Sequence, residues 1–327
     1  MKISYYTVDG NLDRTNGYGN AGFQLILALQ KAGHEVPFDD ETAPIQISFC
    51  QPNHYKFHEG QYKIGYTPWE STELPDGWLE KMNACDEIWA TSDWVKGVYE
   101  RAGVLVPIKV VHHGLDPKWK PVHREHDGVT HFFHHGEPAL RKGGQMTLDA
   151  FRAAFGDRED VHLTFKANSQ HYLRAWHDGK FSVPEYNNVT IITKLYFENE
   201  LVDLYNRMHC MVYPSYGEGF GLIPLQALGT GMPVISTTAW APYRRVIENA
   251  WTHIPVRVDR SLWPVHPGYV YYPEFRSLVR LFKEVDSDIK ACLEYFEHHA
   301  PSVHKEFDWE TIAKDVSSHL EKVQESR

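Results

Sequence analysis

Short apolar runs alternate along the chain with longer stretches in which apolar residues recur at helical spacing. Runs at residues 2–8, 45–49, 62–66, 87–90 and 108–112 read as β-strands separated by helices or loops, and a second series follows at 130–134, 162–166, 189–193, 211–214 and 233–237. Strands alternating with helix-length connections build parallel, doubly wound sheets. Two α/β lobes are therefore expected. Between the two series, Asp116-Pro117-Lys118-Trp119-Lys120-Pro121 and a polar stretch to Gly128 read as a connection, because two prolines punctuate it. This divides the chain into a first lobe of residues 1–125 and a second of 126–305. From Phe275 onward the pattern is mostly helical, ending in Phe307-Asp308-Trp309 and a polar amphipathic tail.

Length agrees, since the 327 residues exceed the roughly 250–300 at which a single core stops growing. A hydrophobic content of 42% and a charged fraction of 23% are those of a globular protein. No segment approaches the ~18 apolar residues of a membrane span, and the start Met1-Lys2-Ile3-Ser4 has neither the apolar run nor the cleavage site of a leader, so a cytoplasmic location is expected. Cys50, Cys85, Cys210 and Cys292 form no Cys-x-x-Cys pair and read as reduced, mostly buried thiols. A formal charge of −10 opposes non-specific attraction to nucleic acid or anionic membrane.

Gly17-Tyr18-Gly19-Asn20-Ala21-Gly22 matches the Gly-x-Gly-x-x-Gly dinucleotide fingerprint and is followed by Asp39-Asp40, so a nicotinamide-dependent dehydrogenase is one reading. Against it, residues 9–16 intervene between the first strand and the glycines. On this motif alone, contact with a phosphate or sugar and a tight turn that packs helix on sheet both remain open. In the second lobe, Tyr213-Pro214-Ser215-Tyr216-Gly217-Glu218-Gly219-Phe220-Gly221-Leu222 leaves a strand and leads into a helix with Pro224 in its first turn. A carboxylate on such a loop grips sugar hydroxyls, and amides at a positive helix end face a diphosphate.

These residues resemble the retaining glycosyltransferases of family four, whose Glu-Gly-Phe-Gly-Leu signature stands here at Glu218-Gly219-Phe220-Gly221-Leu222, with Gly231-Met232-Pro233-Val234 beyond. The likeness runs through Gly17-Tyr18-Gly19, Ile64-Gly65-Tyr66 with Trp69-Glu70, Asp86-Glu87-Ile88-Trp89, His113-Gly114-Leu115-Asp116, Lys142-Gly143 and Phe307-Asp308-Trp309. It implies a GT-B fold, in which two Rossmann-like doubly wound domains face a cleft. Residues 1–125 would form the acceptor side, 126–305 the nucleotide-sugar-binding domain, and a last helix at 306–327 would cross back to the first. The implied activity is transfer of a sugar from a nucleotide donor to a hydroxyl acceptor with retention of anomeric configuration. Glu218, Lys142 and Arg141 would carry the chemistry, while Gly17, Gly19, Gly219, Phe220, Gly221, Leu222 and Gln226 would hold the donor. Glu70 is the acceptor-side candidate, with capping of the next helix as its alternative role. No metal and no cofactor beyond the donor are expected.

Two positions depart from the pattern. Gln226 stands where the family has a second carboxylate for the ribose hydroxyls, and Gly136-Glu137-Pro138 where it has an arginine. A non-catalytic nucleotide-sugar-binding protein is accordingly the other reading. The acceptor is left open among a glycan, a lipid-linked sugar, a metabolite, a protein and a hydroxylated nucleobase. Asp286-Ser287-Asp288 imitates an Asp-x-Asp metal motif, but its place between helical runs points to helix capping. Trp69, Trp78, Trp89 and Trp94 are expected in the core. Glu218→Ala is expected to remove transfer and spare the fold.

Overall fold

The computed structural model describes residues 1–10, 12–14, 16–137, 139–167 and 186–327. Of the positions named above, Asn11, Thr15 and Pro138 lie outside the described residues. Strands β1 (Ile3–Tyr6), β2 (Ile45–Phe49), β3 (Tyr62–Thr67), β4 (Glu87–Ala90) and β5 (Ile108–Val110) form a parallel sheet in that order. Strands β6 (Thr130–His135), β7 (Val161–Lys166), β8 (Val189–Ile192), β9 (Cys210–Tyr213) and β10 (Val234–Ser236) form a second, ordered β10-β9-β6-β7-β8. Every one of these strands lies on an apolar run picked out by the sequence pattern. β2 is buried at all positions, as a parallel strand covered on both faces must be.

In each sheet the chain reverses its direction of growth at one point. Bridges from Lys2 to Glu35 and from Tyr5 to Phe38 place residues 35–38 beside β1, on the edge away from β2. In the second sheet the reversal lies between β6 and β9. Crevices at the carboxyl ends of strands flanking such switch points are where open α/β sheets bind ligands.

Helices α1 (Gly17–Lys31), α2 (Trp78–Asn83) and α3 (Asp93–Ala102) belong to the first lobe. The second carries α4 (Gly144–Phe155), α5 (Glu198–Asn206), α6 (Leu222–Gly229), α7 (Arg244–Asn249), α8 (Phe275–Ser287) and α9 (Ile289–Glu306), and α10 (Trp309–Glu325) ends the chain. α10 starts at Asp308, whose carboxylate accepts from Thr311 N at 2.9 Å. It buries Trp309, Ile312, Val316 and Leu320 in the same core as Ile3, Leu25, Ile45 and Ile64, so the last helix packs on the first sheet. Gly114 makes room for the Trp309 ring, since a Cβ there would stand 2.4 Å from it. The connection after β5 is held to the second lobe by buried Arg124, which donates to the carbonyls of Met208 at 2.9 Å and Thr230 at 2.6 Å.

An antiparallel hairpin, β11 (Val256–Arg260) and β12 (Tyr269–Pro273), was not predicted from the sequence. It reaches the first lobe, where Thr72 N donates to Tyr269 O at 3.1 Å and Trp94 Nε1 to the Tyr271 hydroxyl at 2.7 Å. Trp69, Trp78 and Trp89 are buried, as expected of core residues. Asp286-Ser287-Asp288 closes the end of α8, where Ser287 Oγ and Asp288 N donate to the Glu284 carbonyl at 2.9 and 3.1 Å, but it gives α9 no side-chain N-cap. Asp288 joins α8 to α9 in a conformation that is not the extended one an N-cap requires and makes no side-chain cap bond, while Asp286 pairs with Arg158 at 3.0 Å. Among the described residues no helix is long and apolar enough to cross a membrane.

If α10 is an integral part of the first lobe, removing its anchor must unfold more than a tail. Trp309→Ala is expected to cost about 3 kcal/mol, the scale of emptying a buried tryptophan site, whereas Trp251→Ala, at a residue 81% exposed, is expected to stay within about 0.5 kcal/mol. Urea titration followed by circular dichroism checks both.

Candidate active site

A cleft of about 570 Å³ lies between the lobes at both switch points. From the first lobe it is lined by the start of α1, Phe49, Pro68, Glu70 and His113, and from the second by residues following β6 and β9. The loop after β9 passes very close to the first lobe. A Cβ on Gly217 would stand 2.1 Å from the Glu70 carbonyl oxygen, and one on Gly219 would stand 2.6 Å from Pro68 Cβ. Only glycine permits this approach. Thr91 fastens it by donating to the Gly219 carbonyl at 2.6 Å.

The close passage sets Glu218 in a buried position with four side chains donating to it. Lys142 Nζ lies 2.7 and 2.9 Å from its two oxygens, Arg141 3.1 Å, the Tyr213 hydroxyl 3.0 Å and Ser215 Oγ 2.7 Å. Burial alone would push the Glu218 carboxyl up, but Lys142, Arg141 and the donated hydrogen bonds outweigh it and hold it at about 2. Arg141 also faces Glu70 at 3.5 Å, and His266 from the hairpin loop lies 3.5 Å from the other Glu70 oxygen. Burial raises the Glu70 carboxyl too, yet Arg141 and His266 leave it below the usual carboxylate range. Two carboxylates, Glu70 and Glu218, thus balance two cations, Arg141 and Lys142, in a place from which solvent is largely excluded. Such a cluster persists only because each member has a partner.

Beside it begins α6. No side chain caps it at Gly221, and Gly219, Phe220, Gly221, Leu222 and Ile223 line the cleft, so the positive end of a helix dipole points where Lys142 and Arg141 also converge. Gln226, one turn further on, lines both this cleft and an adjoining cavity of about 330 Å³. That cavity is walled by Trp119, Lys166 and residues 195–199, and the two spaces share Arg14, Asn20, His135, Leu201 and Gln226. Among the described residues no cluster of three or more His, Cys, Asp or Glu is arranged to hold a metal.

Glu218, Lys142, Arg141, Glu70, Gly17, Gly219, Phe220, Gly221, Leu222 and Gln226 all come together around the cleft. Gly19 does not. It is buried, and the space a Cβ would need is taken by the backbone of Asp13, 2.1 Å away, so this glycine serves packing of the loop and donates its amide to Asn16 Oδ1 at 2.7 Å. The acidic pair of the dinucleotide reading is also engaged elsewhere, Asp40 with Lys2 at 2.6 Å and Asp39 with Lys56 and His58. Sequence reasoning missed Arg14, Asn20, His113 and His135, which also line the cleft. His113 was legible within His113-Gly114-Leu115-Asp116. Burial holds its imidazole neutral, with a pKa of about 3.

Residues 130–260 match the sequence profile of the family Glycosyl transferases group 1. Over the whole chain the structure is similar to that of Anabaena HepE in complex with UDP and glucose, with a TM-score of 0.73, 13% identity, 98% of this chain covered and 100% of that one. It is also similar to sucrose-phosphate synthase from Thermosynechococcus elongatus, with a TM-score of 0.72, 15% identity and full coverage of both chains. In sequence, 49 residues are 43% identical to the O-antigen chain mannosyltransferase RfbU of Salmonella typhimurium, a stretch that is 15% of this chain and 14% of that protein. The fold is GT-B, and the match to the Glycosyl transferases group 1 model falls within its second lobe.

The buried position of Glu218 revises the expectation that its loss would spare the fold. Glu218→Ala leaves Lys142 and Arg141 without their shared partner, and a cost of about 3 kcal/mol is expected from breaking a buried ion pair on one side. Because its folded pKa lies below the unfolded value, the carboxylate contributes stability that is complete above the ordinary carboxylate range and is lost as pH falls toward about 2. The stability gap between wild type and Glu218→Gln should therefore narrow as pH is lowered from about 6 to about 3. Urea midpoints at several pH values check this, and a constant gap would contradict it.

Proposed function

We propose that the protein is a metal-independent glycosyltransferase that moves a sugar from a nucleoside-diphosphate donor to a hydroxyl acceptor with retention of configuration. The observation that carries the reading is the meeting of the α6 amino end, Lys142, Arg141 and Glu218 at the switch point of the second sheet, facing the first lobe across one cleft. The likeness to a UDP-and-glucose complex and to a mannosyltransferase supports it.

On this reading the donor diphosphate lies against the α6 amides and Lys142, the adjoining cavity takes the nucleoside, and Glu218 accepts hydrogen bonds from the sugar hydroxyls. The bond between the anomeric carbon and the diphosphate oxygen breaks while the acceptor oxygen bonds to the same face. The acceptor proton passes to the departing phosphate oxygen, so no separate protein base is needed. Charge developing on the diphosphate is stabilised by groups already in place, which is where most electrostatic catalysis arises. Lys142 then exchanges part of its contact with Glu218 for the phosphate. Glu70, 3.5 Å from Arg141, forms the acceptor side. Closed lobes exclude the water that would otherwise hydrolyse the donor.

Mass spectrometry of products after incubation of nucleotide sugars with acceptor pools tests the reading. Transfer is expected to survive chelation and to fall about 100-fold or more in Lys142→Ala, the scale of removing one charge-stabilising donor. Chelator-sensitive transfer restored by magnesium or manganese would overturn the metal-free mechanism, and the absence of both transfer and donor hydrolysis would favour a binding protein. Gln226 makes no side-chain hydrogen bond to a described residue and lines both cavities. Gln226→Glu is expected to tighten ribonucleotide-sugar binding by about fivefold, because a carboxylate accepts from both ribose hydroxyls. Calorimetry with ribo- and deoxyribonucleotide sugars checks it, and equal affinities throughout would remove Gln226 from the nucleotide site.

A further inference from the structure

The charges of the cleft are unevenly committed. Arg141 and Lys142 face Glu218 and Glu70, and Glu137 also lines the cleft near Arg141, so that corner has no surplus positive charge. At the boundary with the adjoining cavity the count differs. Arg14, from the loop preceding α1 in the first lobe, pairs with Glu198 at the start of α5 in the second, and Lys118 holds the same Glu198 oxygen at 2.8 Å. Two cations share one carboxylate there, leaving a surplus positive charge.

Arg14 is the member of this trio that lines both cavities. Its side chain is 40% exposed, and its guanidinium rests over the Phe23 ring at 4.7 Å. It shares the boundary with Asn20, His135 and Gln226, between the Lys142 end and the end walled by residues 195–199. If Arg14 leaves Glu198, Lys118 keeps that carboxylate neutralised. An incoming dianion can thus recruit Arg14 without stranding a charge.

We propose that Arg14 is a phosphate-binding residue for the nucleoside-diphosphate donor, delivered across the cleft from the first lobe and held ready by Glu198. This rests on the glycosyltransferase reading and deepens it. A guanidinium bonds two phosphate oxygens at once, which a point charge does not. Because it belongs to the other lobe from Lys142, a diphosphate held by both ties the lobes together. Donor binding and lobe closure become one event.

The test is calorimetry on the full chain with uridine, guanosine, adenosine and thymidine diphosphates and the matching nucleosides. Arg14→Gln is expected to weaken the preferred diphosphate about tenfold, the loss of one charge-assisted contact, with nucleoside affinity changed less than about twofold. Arg14→Lys should recover part of the loss. Glu198→Gln frees Arg14 from its resting partner and is expected to preserve or tighten diphosphate binding, opposite in sign to Arg14→Gln. A residue acting only as an interlobe strut gives a different pattern, in which both substitutions weaken diphosphate and nucleoside alike, and this would overturn the proposal. So would wild-type diphosphate affinity in Arg14→Gln, with the glycosyltransferase reading left standing. A wild type that binds none of the diphosphates would overturn both.

Discussion

A carboxylate withdrawn from water must be given charge and hydrogen bonds in return, and Glu218 receives them from Lys142, Arg141, Tyr213 and Ser215 together. Much of the molecule is arranged so that these groups meet. The turn after β6 supplies the cations, and the loop after β9 supplies Ser215 and Glu218 itself. These two strands are neighbours in space although α4, β7, β8 and α5 lie between them in sequence, because the order of the second sheet reverses between them. The switch point places residues some 76 positions apart within one hydrogen bond.

The same cluster joins the lobes. Arg141 extends the network to Glu70, and the hairpin returns to it through His266. Gly217 and Gly219 allow the backbone segments of the two lobes to touch beside it. With α10 docked on the first sheet and Arg124 fixing the connection on the second, the two crossings of the chain between lobes meet where Leu115 N donates to Phe307 O at 2.7 Å. A dianion entering the cleft acts on the ion pairs first, and Lys142 and Arg14 belong to different lobes.

The strands of both sheets were legible because parallel strands buried on both faces leave short apolar runs, Cys210–Tyr213 being a clear case. The hairpin was not, because Arg257, Asp259 and Arg260 break the apolar pattern of an exposed strand and its partner is only set by the register with Tyr269–Pro273. At the site, Glu218 and Lys142 stood in local motifs whose residue types announce their chemistry. Arg14 did not, since it becomes a cleft residue only through the meeting of two lobes. Gly19 is a different case. Its motif suggested a ligand contact, and three-dimensional packing against Asp13 accounts for it instead.

On the proposed function, Lys142 and the amino end of α6 form a diphosphate site. Phosphorus nuclear magnetic resonance of a bound nucleoside diphosphate reports on that site directly. A saturable shift of the β-phosphorus resonance is expected with wild-type protein, and its loss with Lys142→Ala at the same occupancy of the nucleoside. A β-phosphorus resonance unmoved by wild-type protein, or moved equally by both proteins, would contradict it.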